Sequence, residues 1–172
     1  MPVPYRRSAT ATAQRAVAYV KVVRSPSGRA VLGALLLLDA RGRPLEFVHN
    51  RVETPTGFLW PEAQVDEAAT TAICHSLFDA CTREPDLLLC EAALGSPEFC
   101  ASSLAPTVPF GQVTPADRSA PAGVAWINDP PRRGMAAAGL AEELQARSLL
   151  TEPFERAVSG LREVYPEESW PE

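Results

Sequence analysis

From Ala30 to Leu38 every residue is apolar or glycine, and Asp39-Ala40-Arg41-Gly42 follows at once. A strand with one solvated face alternates apolar and polar side chains. An unbroken apolar run of strand length needs cover on both faces. Aspartate opens a turn well, and glycine supplies the positive φ of a type I turn with a glycine bulge. The run is therefore an interior strand that ends in a tight hairpin, and the rest of the chain must supply layers for both of its faces.

The flanking residues fit that demand. Ala16 to Val23 reads as a strand, with Val17, Tyr19 and Val23 on one face and Ala18, Val20 and Val22 on the other. Ser25-Pro26-Ser27-Gly28 supplies the turn into Ala30. Leu45 to Val52 reads as a third strand. Pro44 at its start has no N–H for a ladder, which places it at a sheet edge. Simple alternation puts Leu45, Phe47 and His49 on one face, with Glu46 and Asn50 on the other. Three strands joined by two short turns make an antiparallel meander.

A helix is expected over Glu62 to Arg83. Val65, Ala69, Ile73, Leu77 and Cys81 recur every fourth residue, and Asp66, Thr70, His75, Asp79 and Arg83 lie opposite. Leu87 to Cys90 reads as a short buried strand, running parallel to the first after the helical crossover. Residues 92–134 form a proline-rich irregular segment with two short edge strands, Val108 to Val113 and Gly123 to Ile127. Helices return over 135–165. Thr151 stands at an N-cap, Pro153 sits in the first turn, and Phe154, Val158, Leu161 and Tyr165 form the docking stripe. The expected organisation is a mobile tail over 1–14, one α/β domain over 15–166 and a frayed acidic tail over 167–172, with Trp170 available to pin it.

Composition excludes some functions. A net charge of −5 weighs against a stand-alone nucleic-acid binder, because phosphate neutralisation drives such affinity. Lys21 is the single lysine among 16 basic residues, and the arginines are scattered along the sequence. No signal-peptide core and no membrane-length apolar run occur, so a cytoplasmic location is expected. Cys74, Cys81, Cys90 and Cys100 lack CxxC spacing, and zinc held by Cys74, His75, Cys81 and Cys90 is disfavoured. No nucleophile elbow accompanies His49 or His75, and the ten glycines form no phosphate-cradling loop.

The order strand-strand-strand-helix-strand resembles the core of the ribonuclease H-like fold. Nucleases of that class hold two magnesium ions about 4 Å apart with several carboxylates, one of them in the middle of the first strand. Here that strand reads Ala18-Tyr19-Val20-Lys21-Val22 and has no acid. Thr54-Pro55-Thr56-Gly57-Phe58-Leu59, the nearby Glu62, and Pro85-Asp86-Leu87 leading to Glu91 are similar to the middle of endonuclease V. That resemblance implies Glu62 and Glu91 as metal carboxylates for magnesium or manganese. The family's glycine- and histidine-rich segment after the fourth strand is replaced by Ala92-Ala93-Leu94-Gly95. Ala40-Arg41-Gly42-Arg43-Pro44-Leu45-Glu46-Phe47 and Glu152-Pro153-Phe154-Glu155-Arg156 resemble a family of short uncharacterised bacterial proteins, which implies a bacterial source.

These observations lead to a non-catalytic interaction subunit of a bacterial multi-protein system handling nucleic acid, with no cofactor. The alternative is a divergent metal-dependent nuclease that uses Glu62 and Glu91. The expected partner is another protein or a second copy of the chain. Its contact residues would be the loop aromatics Phe58, Leu59 and Trp60 and the small basic site Arg132-Arg133. A small-molecule sensor would instead show a closed apolar pocket near Trp60.

Overall fold

The structure is a computed structural model that describes residues 15–54, 61–91, 108–116, 120–168 and 170. Six strands form one mixed sheet: β1 (Ala16–Arg24), β2 (Ala30–Asp39), β3 (Pro44–Glu53), β4 (Leu87–Glu91), β5 (Phe110–Thr114) and β6 (Gly123–Trp126). Their spatial order is β3-β2-β1-β4-β5-β6. The meander β1-β2-β3 is antiparallel, β4 runs parallel to β1, β5 runs parallel to β4, and β6 returns antiparallel. Helix α1 (Glu62–Ala80) covers one face. Helices α2 (Ala136–Ala146) and α3 (Glu152–Val164) cover the other.

Cover on both faces is why β2 can be buried along its whole length. Ala18, Val20, Val22, Val31, Leu35 and Leu37 pack against Ala69, Ile73 and Leu77 of α1. Val17, Tyr19, Leu32, Leu36 and Leu38 pack against Leu140, Leu144, Phe154, Ala157 and Leu161. The hairpin forms as its residues dictate. Asp39 Oδ1 accepts the N–H groups of Arg41 and Arg43 at 2.8 and 2.9 Å, and Gly42 takes φ +77°. At the opposite edge of β1, Asp86 ties the start of β4 in place: its carboxylate accepts Ala16 N–H, and its own N–H donates to Ala16 O, each at 2.8 Å.

Several expectations change on contact with the tertiary structure. Strand β3 is an edge strand, but its alternation is broken by a register shift: Leu37 pairs with Glu46 while Leu38 pairs with Pro44. The bulge turns Leu45 toward the α1 side, whereas Phe47 and His49 face α3 and its C-terminal extension. Helix α1 stops at Ala80 and not at Arg83, because Glu46 captures Thr82 through both its N–H and its hydroxyl. Thr70, expected on the polar side, is fully buried. Thr151 holds the N-cap position with αR dihedrals and no side-chain cap bond. The two short strands expected within 92–134 form, as β5 and β6, but not both at an edge. Of these only β6 is an edge, and Asn128 secures the pair by bonding Phe110 N–H and Val108 O. Two described residues of the expected acidic tail are held in place: Glu168 is buried against Arg51 Nε, and Trp170 donates to Tyr165 O at 3.0 Å beneath Arg162.

Tyr19 illustrates how the α2–α3 layer is fixed. It is fully buried, meets Phe154 edge-on at 5.2 Å, and donates its hydroxyl to Leu149 O. Burial raises its ionisation well above the ordinary 10, because the phenolate would be stranded in a dry core. Above pH 10 the unfolded chain loses this proton while the folded chain keeps it, so stability must fall as pH rises through that range. Tyr165 is also raised by burial and adds to the fall. Chemical denaturation between pH 9 and pH 11 should therefore show a declining midpoint that Tyr19→Phe flattens. The same variant should cost about 1 kcal/mol at neutral pH by leaving the Leu149 carbonyl without its donor. An unchanged slope would show that Tyr19 does not govern the alkaline limit.

Candidate functional site

The middle of β1 and the end of β4 meet under α3. The parallel register pairs Val17 with Leu87 and runs to Val20 with Cys90, so the next residues, Lys21 and Glu91, stand side by side. Alternation points both toward α3, opposite Val20 and Cys90, which pack under α1. The Lys21 ammonium and the Glu91 carboxylate form an ion pair with side chains 19% and 28% exposed. Phe154, Glu155, Val158, Ser159 and Arg162 of α3 close over the pair, leaving a cleft of about 250 Å³. The cleft lies beyond the carboxyl end of a parallel strand in a mixed α/β sheet, where such sheets generally place ligands.

Glu62 engages a different cation on the α1 side. Arg24 Nη1 lies 3.2 Å from Glu62, and Arg24 Nη2 is paired with Asp66. The Glu62 side chain is 81% exposed. The two acids implied by the endonuclease V resemblance are thus held by separate basic residues. Among the described residues no three His, Cys, Asp or Glu side chains gather closely enough to hold a metal ion. A hard divalent cation needs several oxygen donors. In the cleft the carboxylate of Glu91 is taken by an ammonium, so these residues do not suit magnesium or manganese as they stand.

The remaining candidates are dispersed. Arg132 and Arg133 are exposed at the turn before α2. Phe58, Leu59 and Trp60 lie outside the described residues, as does Cys100. Cys74 and Cys90 are buried in the α1 layer, Cys81 is half-buried with its thiol pushed up by burial, and His75 points to solvent. His49 Nδ1 lies 3.1 Å from the Tyr165 hydroxyl. The residue whose importance sequence reasoning missed is Lys21. Its signal was present: a lone lysine inside a strand that is apolar on both faces must find a buried acid.

No family model matches the chain, and no curated protein matches it in sequence. Solved structures do resemble it. Endonuclease V from Streptomyces avermitilis matches with a TM-score of 0.57 at 16% identity over 90% of this chain and 82% of that one. Endonuclease V from Bacillus subtilis matches at 0.39 and 14% identity, over 60% of this chain and 45% of that one. Marinitoga piezophila Argonaute, in complex with a 5′-OH guide RNA, matches at 0.34 and 8% identity over 58% and 16%. The first of these carries the conclusion that the chain has a ribonuclease H-like fold, with a mixed sheet layered by helices. No described helix is long and apolar enough to cross a membrane.

Proposed function

We propose that the chain is a non-catalytic accessory subunit of a bacterial system that handles nucleic acid, built on a nuclease-type fold and acting in the cytoplasm through contacts with a protein partner. The observation that supports this reading is the Lys21–Glu91 ion pair. Nucleases of this fold gather carboxylates around metal ions, one of them in the middle of the first strand. In this chain that strand contributes a fixed positive charge, and the ammonium neutralises the neighbouring acid in place of a cation. Removing either partner would leave an uncompensated charge in a partly buried position, so the two residues depend on each other.

The second reading, a divergent nuclease using Glu62 and Glu91, is favoured by the overall likeness to endonuclease V and by the place of Glu91 at the end of β4. Manganese titration by calorimetry separates the two. Under the accessory reading no heat of binding appears at millimolar metal, and single- and double-stranded DNA and RNA survive prolonged incubation with magnesium or manganese. Metal binding or cleavage that Glu91→Ala abolishes would establish the nuclease reading instead.

A further inference from the structure

The arginines that look scattered along the sequence are partly gathered by the fold. Pairing of Ala16 with Asp39 sets Arg15 beside the β2–β3 turn, where Arg15, Asp39, Ala40, Arg41 and Arg43 line an open cleft of about 240 Å³. This cleft is at the amino-terminal end of β1, away from Lys21 and Glu91. The turn that carries Arg41 and Arg43 is rigid. Asp39 accepts both of their backbone N–H groups, and Arg156 Nη1 donates to Gly42 O at 2.9 Å. Leu149 closes against Gly42 from below, leaving 3.0 Å to where a Cβ would stand.

The charges around this cleft do not cancel. Arg15 lies 2.9 Å from Glu143, and Arg156 is paired with Glu152. The Asp39 carboxylate is buried and turned to the backbone of the turn. Arg41 and Arg43 are exposed, and neither forms an ion pair among the described residues. Two planar guanidiniums on a fixed turn, with a third at the rim, match a dianionic phosphate group through charge-assisted, forked hydrogen bonds. The overall charge of −5 opposes a long polyanion, so the cleft suits one concentrated dianion and not an extended backbone.

We infer that the cleft formed by Arg15, Arg41 and Arg43 binds a phosphomonoester, carried either by a small molecule or by the terminus of a nucleic acid. The inference goes beyond the accessory role and holds whether or not the Lys21 cleft ever binds metal. The test uses the full chain at low ionic strength with three probes: a nucleoside 5′-monophosphate, a 5′-phosphorylated oligonucleotide and the same oligonucleotide with a 5′-hydroxyl. Binding of either phosphorylated probe, weakened at least about tenfold in Arg41→Gln/Arg43→Gln, is expected from the loss of two charge-assisted contacts. The monophosphate and oligonucleotide arms then tell the two sources apart. Arg29→Gln/Arg51→Gln makes the same change in net charge at the opposite end of β2, where Ala30 pairs with Glu53 and Leu32 with Arg51, and should leave binding intact. Equal weakening by both double variants, equal binding of the 5′-hydroxyl oligonucleotide, or no binding of either phosphorylated probe would each overturn the inference.

Discussion

Lys21→Asp is expected to bind manganese more tightly than the parent chain does. The substitution places a carboxylate beside Glu91 on the neighbouring parallel strand, with Glu155 and Ser159 of α3 lining the same space. Three carboxylates and a hydroxyl then face one small cleft, the kind of oxygen-rich donor set that hard divalent cations require. A dissociation constant of roughly a millimolar or tighter is a reasonable expectation for so few ligands. Without metal the variant should lose stability, because like charges replace an ion pair in a partly buried position. Metal should restore it: a ligand at a hundred times its dissociation constant adds about 2.7 kcal/mol. Lys21→Met, which removes the ammonium without adding an acid, should be destabilised and gain little metal affinity. Calorimetry and thermal denaturation with and without manganese read both effects. If Lys21→Asp binds manganese no better than the parent, the ammonium does not set the metal affinity of the cleft, and the support for a non-catalytic role falls with it.

Gly33→Ala should be markedly destabilising even though it adds one methyl group to a strand. Gly33 lies on β2 facing α1, and a Cβ there would stand 2.5 Å from Ile73 Cγ1 and 3.0 Å from Leu77 Cδ1. Glycine thus sets how closely the long helix approaches the sheet. Overpacking of such a contact costs about 1–3 kcal/mol, and Gly33→Val should cost more. Ile73→Ala alone should cost about 2–5 kcal/mol through the cavity it leaves. Combined with Gly33→Ala it should cost less than the sum, with a coupling of about 1 kcal/mol or more, because the new methyl occupies part of the vacated space. Strictly additive denaturation midpoints would show that the helix moves away from the strand and that the contact does not govern the packing.

Much of the architecture is legible in the sequence. The unbroken apolar run of β2 demanded two layers, Pro44 marked an edge, and the four-residue recurrence from Val65 to Leu77 marked the helix between them. What failed were features that depend on partners distant in sequence. The bulge at Leu45 is invisible to alternation, because it is set by how Glu46 and Pro44 register against β2. The end of α1 is set by Glu46, which lies 36 residues before the Thr82 it captures. Thr70 looked polar by type and was drawn inside by its place on the helix.

The candidate sites divide in the same way. Side-chain type and local pattern determined the layered α/β fold, the strand-end position of Glu91 and the oddity of a lysine within β1, because each is a property of neighbouring residues. Only the tertiary structure decided that Lys21 neutralises Glu91, that Glu62 belongs to Arg24, and that Arg15 joins Arg41 and Arg43. Those outcomes depend on strand register and on which face each side chain occupies. A shift of one residue in pairing would reverse every one of them, and register is set by the cooperative packing of both layers at once.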